Sequence, residues 1–167
     1  MQKFANSHTL NASAERVLEL ICSEDYMRYR YDQPELLNFD LTITRDDEQV
    51  FEAKVLRTID ISGKVPKLAK KLVGDQVAVE QTQDWVRTES PYLGTLTVSG
   101  EGLPGQVTSR MTLTPIDDNS STISVDGSIS VSVPLVGGQL EKLLAGKAAE
   151  NFSTSMQAID DYIAKNA

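Results

Sequence analysis

The sequence predicts an α+β fold, in which a curved seven-stranded antiparallel sheet wraps around one long C-terminal helix. Between Leu135 and Lys165, apolar residues recur at three- and four-residue steps, as they do along one face of a helix. Seven earlier segments alternate between apolar and polar residues, which is typical of strands that are half-buried. Short turns join most successive strands, and this favours antiparallel pairing.

The N-terminal part predicts one strand followed by two short helices. Residues 3–10 alternate between two sides, as expected of a strand. Ser13 and Ser23 are the predicted N-caps of the helices, because a serine oxygen can accept a hydrogen bond from a backbone N–H group of the first turn. Val17 and Ile21 give the first helix its apolar side.

Six further strands are predicted between Leu37 and Pro134, beginning with a hairpin over Leu37–Ile61. Residues 65–72 return to helical spacing and predict one helical insertion between strands. Serine and threonine fill the outer positions of the last strand, so one side of the sheet should face water. The positions predicted to face inward are Phe4, Asn6, His8, Leu10, Phe39, Leu41, Ile43, Phe51, Ala53, Val55, Arg57, Ile59, Ile61, Val77, Val79, Gln81, Gln83, Trp85, Tyr92, Gly94, Leu96, Val98, Val107, Ser109, Met111, Leu113, Ile123, Val125, Ile129, Val131 and Val133.

The C-terminal helix is predicted over Gln139–Lys165, a length of roughly 40 Å. Gly137 and Gly138 are the predicted joint between the last strand and this helix. A sheet of seven strands should curl, so a straight helix cannot touch it everywhere. We therefore expect a mostly apolar cavity between them. The apolar stripe of the helix comprises Leu140, Leu143, Leu144, Ala148, Phe152, Met156, Ile159 and Ile163.

Composition predicts one globular domain over residues 1–167, with 40% apolar and 24% charged residues. The sequence contains no apolar run long enough to span a membrane, and its first residues lack a signal-peptide core. The single cysteine, Cys22, cannot form an internal disulfide, so a cytoplasmic location is expected. A formal net charge of −8 argues against nucleic-acid binding. No motif predicts a cofactor or a metal site, since His8 is the only histidine.

The order of these elements resembles the helix-grip fold of the START-like superfamily, which includes Bet v 1-like proteins and polyketide cyclases. The likeness covers essentially the whole chain. Two stretches carry it locally: Ala12–Val17, at the entry into the first helix, and Val133–Glu141, where the last strand leads into the long helix. The second stretch is similar to an uncharacterised, mostly actinobacterial branch. The resemblance implies a cavity for lipids, polyketides or similar apolar molecules, and it implies no shared catalytic residues.

Ten side chains are candidates for contact with a ligand in this cavity. The polar candidates occupy positions in the strands that are predicted to face inward among apolar residues. The large ones also lie at inward positions. The alanine is small and could leave space above the sheet. Each also has a structural interpretation, as ordinary core or as a hydrated group near a sheet edge. The candidates are His8, Arg57, Gln81, Trp85, Tyr92, Ser109, Met111, Ala148, Phe152 and Met156.

Arg57 is the candidate with the most specific chemistry. It shares the inward phase of Val55, and a buried guanidinium needs a partner because an unpaired buried charge is costly. That partner could be a ligand carboxylate or carbonyl, or an internal acid. A β-bulge could instead turn the side chain outward.

A second group of candidates is the lysine-rich helical insertion. Lys64, Lys67, Lys70 and Lys71 form the only dense basic cluster on an acidic chain. The segment could be a lid over the cavity, a contact with an anionic membrane surface, or a clamp for a lipid head group. It could equally be a solvated helix whose lysines balance nearby acids.

Three functions are compatible with the sequence. The first is a binding or carrier protein for a hydrophobic small molecule or lipid, without catalysis. The second is an enzyme of cyclase or hydrolase type, with His8, Arg57 and Tyr92 as acid–base candidates. The third is a protein-interaction module with a filled core. The sequence indicates neither the ligand nor the oligomeric state.

Overall fold

The computed structural model describes residues 1–31, 36–60, 67, 70–71, 74–102 and 105–166. Seven strands and three helices follow one another in the predicted order, apart from the helical insertion, of which only Lys67, Lys70 and Lys71 are described. The elements are β1 (Gln2–Leu10), α1 (Ala14–Ile21), α2 (Glu24–Tyr31), β2 (Leu36–Asp46), β3 (Val50–Asp60), β4 (Gln76–Val86), β5 (Tyr92–Gly100), β6 (Gly105–Asp117), β7 (Ser120–Val131) and α3 (Gly137–Lys165).

The seven strands form one antiparallel sheet, as predicted. Its order is β1-β7-β6-β5-β4-β3-β2, so β1 and β2 are the two edges. Apart from β1 and β7, strands that are neighbours in the sheet are also consecutive in the chain. The inward phases also agree with the prediction, since Phe51, Ala53 and Val55 are buried on β3 and Val77, Gln81 and Trp85 on β4.

The two short helices begin where their serines predict. Oγ of Ser13 accepts a hydrogen bond from the backbone N–H of Arg16 at 3.2 Å, and Oγ of Ser23 accepts one from that of Tyr26 at 3.2 Å. Each cap satisfies a backbone donor that has no partner within its helix. α1 then packs towards β6 and β7, and α2 towards β2 and α3.

The joint before α3 differs from the prediction. Gly137 and Gly138 are already the first residues of the helix, and the chain turns at Leu135, which has a φ of 72°. Gly137 serves a different purpose, because a Cβ atom there would lie 2.8 Å from the backbone oxygen of Val131. A side chain at this position would push the helix away from the last strand.

α3 packs over β1 and β7 and is buried near its two ends. Leu140 joins Val136 in a small apolar cluster, while Met156 and Ile159 join the main core. The stretch between them, from Glu141 to Ser155, contains no fully buried residue. The helix therefore contacts the sheet firmly at two places and less closely between them.

Candidate functional site

A cavity of about 100 Å³ lies between the inner face of the sheet, helices α1 and α2, and the C-terminal half of α3. Most of its wall is apolar, and three methionines contribute to it. The described residues that line it are Ile21, Tyr26, Met27, Arg30, Tyr31, Gln81, Gln83, Trp85, Leu96, Met111, Ile123, Ser124, Val125, Asn151, Phe152, Ser155, Met156 and Ile159.

The size of this cavity limits what it can hold without rearrangement. Pockets for drug-sized ligands measure about 300–1,000 Å³, whereas an apolar cavity of about 150 Å³ can hold a benzene molecule. A volume of about 100 Å³ is therefore slightly below the space that holds one ring. Met27, Met111 and Met156 are unbranched and flexible, so the wall can adapt to a larger guest.

Trp85 forms part of the cavity wall and is almost fully buried, at 2% exposure. Its indole lies over Gly94 of the neighbouring strand, where a Cβ atom would come within 2.8 Å of Cδ2 of the indole. The glycine therefore allows the ring to lie flat against the sheet. Because Trp85 is the only tryptophan in the chain, its fluorescence reports on the cavity.

One side of the cavity is polar, at the point where α2 faces β4. Nε2 of Gln81 donates to the Tyr31 hydroxyl at 2.5 Å and more weakly to Oε1 of Gln83 at 3.4 Å. Among the described residues, the Gln83 amide has only the thioether of Met27 as its acceptor, at 3.9 Å. Sulfur is a weak acceptor, so this N–H group remains available for a better one.

Arg57 lies beside this polar side and points inward, as its phase predicts. Its Nη2 donates to Oε1 of Gln81 at 3.2 Å, and its guanidinium carbon lies 5.4 Å from the centre of the Tyr31 ring. Its Nε is buried and has no acceptor among the described residues. Burial lowers the pKa of Arg57 below its usual value, and the nearby Arg30 adds to this effect.

Arg30 is the second arginine at this place, and it connects α2 to α3. It is 5% exposed. Its Nε donates to Oγ of Ser155 at 2.9 Å, and its Nη2 donates to Oδ1 of Asn151 at 2.6 Å. The guanidinium also lies 5.0 Å from the centre of the Tyr31 ring, so two guanidinium groups, those of Arg30 and Arg57, lie close to this ring.

The structure brings five of the ten candidates together in the cavity wall: Gln81, Trp85, Met111, Phe152 and Met156. Two others lie next to it. Arg57 contacts Gln81, and Ser109 is buried with its hydroxyl donating to the backbone oxygen of Leu96 at 3.3 Å. Ala148 is half-buried on α3, one turn before Phe152, and is not part of the wall.

His8 and Tyr92 lie elsewhere. His8 is on edge strand β1, where its Nε2 is 3.1 Å from Oδ2 of Asp160 on α3. Tyr92 is half-buried at the start of β5, and partial burial together with the Glu15 carboxylate raises its pKa. Neither lines the cavity, and β1 and β3 are separated by four strands of the sheet. His8, Arg57 and Tyr92 therefore do not form one cluster.

The contribution of α2 to the cavity was not predicted from the sequence. Tyr26, Met27, Arg30 and Tyr31 are its buried residues, and all four line the cavity. Their spacing of i, i+1, i+4 and i+5 places them on one side of a helix, which was the available signal. Four of the eight residues of α2 are charged, so a charged arginine within that side obscured its inward orientation.

The lysine-rich segment can be placed only in part, because Lys64 lies outside the described residues. Lys67, Lys70 and Lys71 are helical and exposed. Nζ of Lys70 forms an ion pair with Oδ1 of Asp75 at 3.2 Å, so one lysine of the cluster balances a nearby acid.

Within the part of the chain that the structure describes, histidine, cysteine, aspartate and glutamate side chains form no group of three that could bind a metal ion. No helix among those residues is both long and apolar enough to cross a bilayer.

Comparison with solved structures identifies the fold. An aromatase/cyclase, Zhui, from Streptomyces sp. R1128 aligns with a TM-score of 0.62 and 10% identity, over 96% of this chain and 92% of its own. A START superfamily protein from Mycobacterium smegmatis aligns with a TM-score of 0.59 and 15% identity, over 99% of both chains. Norcoclaurine synthase from Thalictrum flavum aligns with a TM-score of 0.62 and 13% identity, over 99% and 95%. At these identities the likeness concerns the fold alone.

The sequence comparisons complete the assignment. No protein of curated function matches the chain. A family model described as a protein of unknown function, DUF2505, matches residues 5–163. The match covers nearly all of the sheet and the whole of α3 as far as Ile163. The chain therefore belongs to the DUF2505 family, and its fold is the helix-grip fold of START-like and Bet v 1-like proteins.

Proposed function

We propose that this protein binds a small hydrophobic molecule in the cavity between the sheet and α3. The observation that carries this proposal is the cavity itself, which keeps about 100 Å³ free within an otherwise packed core. A void of that size forfeits van der Waals contacts and lowers stability. A ligand that fills it would restore those contacts.

The composition of the wall supports the same function. Trp85 and Phe152 offer aromatic faces, and Met27, Met111 and Met156 offer adaptable side chains. One ring requires only a small adjustment of this wall, while an isoprenoid or a fatty acid requires the methionines to move much farther. A single-ring ligand is therefore the first expectation, and a lipid remains the larger alternative.

Trp85 fluorescence and thermal unfolding provide the test. The purified protein would be titrated with cyclohexylmethanol, which has the size of one ring, and with geraniol, which has the size of an isoprenoid. Neither absorbs where tryptophan is excited. We expect cyclohexylmethanol to change the Trp85 emission and to raise the unfolding temperature. Native mass spectrometry before and after organic extraction would show whether a larger lipid is already bound.

Two variants make this test specific. Val125→Phe places a ring in the cavity wall, and Val86→Phe adds the same ring on the outer face, where Val86 is 40% exposed. Binding should be lost in Val125→Phe and kept in Val86→Phe. If no single-ring or isoprenoid probe binds the wild-type protein, whether neutral or acidic, and no lipid is released, the proposal is wrong.

The other two functions have less support. The acid–base candidates of the enzyme, His8, Arg57 and Tyr92, lie in separate places, and no distance links them into one reacting centre. An interaction module would be favoured by a filled core, whereas the core contains a cavity. Binding is therefore the function that the described geometry supports best.

Several finer expectations remain predictions. They are the mostly actinobacterial branch, a cytoplasmic location, a peripheral contact of the lysine-rich segment with an anionic membrane, and the absence of nucleic-acid binding. Lys67, Lys70 and Lys71 are exposed, which such a membrane contact requires. Sedimentation with vesicles of neutral and of anionic lipid would test that contact.

A further inference from the structure

We propose that the ligand of this cavity is a small hydrophobic carboxylic acid, whose carboxylate binds the edge of Arg57 formed by Nε and Nη2. This inference rests on the proposed function and specifies the chemistry of the ligand. The edge in question faces Gln81, which is part of the cavity wall.

The geometry of Arg57 shows what this edge lacks. Nε and Nη2 lie on one side of the planar guanidinium, and a carboxylate accepts from both at once with its two oxygens. Here Nη2 donates to a neutral amide oxygen, Oε1 of Gln81, at 3.2 Å. Nε has no acceptor among the described residues. One amide oxygen thus occupies a site with the shape for two oxygens.

Arg57 carries a positive charge that none of its described contacts neutralises. Its contacts are the Gln81 amide and the face of the Tyr31 ring, at 5.4 Å from the ring centre. An anion supplied by a ligand would satisfy both the charge and the orphan N–H group. A neutral ligand would leave both as they are.

The cavity wall next to Arg57 favours an acceptor over a donor in the ligand. The described wall of the cavity contains no aspartate or glutamate that would repel a carboxylate. The Gln83 amide, whose acceptor is a thioether at 3.9 Å, can donate to a ligand oxygen. For the carboxylate to reach Arg57, the Gln81 side chain has to move aside from its present contacts with Arg57 and Tyr31.

The cavity limits the rest of the ligand. One ring-sized apolar group fills about 100 Å³ against Trp85, Phe152 and the methionines. Arg57 lies behind Gln81, outside the wall itself. The ligand class is therefore a cyclic or aromatic acid, with its ring in the cavity and its carboxylate at the Gln81 position.

A matched pair of probes tests this inference. Cyclohexanecarboxylate and cyclohexylmethanol share one ring and differ at the polar end, and both are transparent where Trp85 is excited. Binding would be measured at pH 7 by Trp85 fluorescence and by calorimetry. We expect the carboxylate to bind the wild-type protein about tenfold more tightly than the alcohol, or better, because hydrogen bonds between charged groups are stronger than neutral ones.

Three variants assign the preference to Arg57. Arg57→Met should abolish the preference for the acid while leaving the affinity for the alcohol within about twofold. Arg57→Lys keeps the charge but lacks the planar edge, so it should lose most of the preference. Arg110→Met removes an exposed arginine from the outer face of β6 and should change neither affinity.

The possible outcomes separate this inference from the proposed function. If the alcohol binds and the acid binds no better, the ligand class is wrong and the binding function stands. If Arg57→Met keeps the preference, or Arg57→Lys keeps all of it, the Nε–Nη2 edge is not the acid site. If neither probe binds and no lipid is found, both proposals fail. Circular dichroism of each variant, and the wild-type comparison by itself, keep the test valid if one variant misfolds.

Discussion

Arg57 and Gln81 lie on neighbouring strands, and their side chains meet at the border of the cavity, with Nη2 of Arg57 3.2 Å from Oε1 of Gln81. The bond uses half of the guanidinium edge and leaves Nε buried without an acceptor among the described residues. It is a weak arrangement for holding a buried charge. It is a suitable one for a group that exchanges the amide for a ligand.

Removing the Arg57 charge should have little effect on stability. Arg57→Met loses one hydrogen bond and a cation–π contact, but it also removes a desolvated cation. We expect the free energy of unfolding to change by less than about 1 kcal/mol. Urea unfolding at pH 7 measures it, with Arg110→Met as the exposed control. A loss of several kcal/mol would show that Arg57 holds the fold together.

Removing Arg30 should have a much larger effect. Arg30 is buried, and it donates to both Ser155 and Asn151 on α3. Arg30→Met leaves those half-buried acceptors without their donor and removes a buried side chain between two helices, so we expect a loss of about 2–4 kcal/mol in the free energy of unfolding. The same urea experiment compares it directly with Arg57→Met. Equal effects of the two substitutions would contradict the different roles inferred here.

Gly94→Ala should displace the indole ring of Trp85. A Cβ atom at position 94 would lie 2.6 Å from the backbone oxygen of Asp84 and 2.8 Å from Cδ2 of Trp85. Backbone cannot yield as a flexible side chain does, so we expect a loss of about 2 kcal/mol and a change in the Trp85 emission maximum.

Gly146→Ala is the matched control for Gly94→Ala. Gly146 lies in α3 with no atom within 4 Å of an added Cβ, and alanine is the better helix former. This substitution should stabilise the protein by about 0.5–1 kcal/mol without altering the emission. If Gly94→Ala were as stable as the wild type and left the emission unchanged, the packing described for Trp85 would be contradicted.

Asp47 should make the β2–β3 turn dependent on pH. Its Oδ1 accepts from the backbone N–H groups of Gln49 and Val50 at 2.8 and 2.9 Å, and its Oδ2 accepts from Nε of Arg45 at 2.6 Å. The Arg45 hydrogen bond, followed by the two backbone bonds, lowers the pKa of Asp47 to about 2.

The sign of this dependence follows from the lowered pKa. An unfolded aspartate titrates near pH 4, so the stabilisation is fully present above that value and is lost as the pH falls towards 2. Asp47→Asn should therefore be less stable than the wild type at pH 7 and equally stable near pH 2. Glu48→Gln, an exposed neighbour in the same turn, removes the same charge and is the control. A constant difference between wild type and Asp47→Asn from pH 7 to pH 2 would contradict the prediction.

The part of the cavity wall that strands contribute was predictable from the alternation of apolar and polar residues. The part that the short helix α2 contributes was not predicted. Gln81, Trp85 and Met111 were found because a residue on a strand faces the same side as its second neighbours. The inward side of α2 was missed because a charged residue, Arg30, lies on that side together with Tyr26, Met27 and Tyr31. Arg30 in particular is a charged residue whose burial depends on acceptors supplied by α3, more than 120 positions later.

The sequence by itself determined the order of the elements, the inward phases of the strands, both serine caps and the apolar stripe of α3. These features depend on local periodicity and local hydrogen bonds, which neighbouring residues encode. Only the tertiary structure decided that His8 pairs with Asp160 while Arg57 faces Gln81 and Tyr31. It also decided that α3 is buried at two places and that the cavity lies beside the second of them, because the path of the helix over the sheet depends on contacts between residues far apart in the chain.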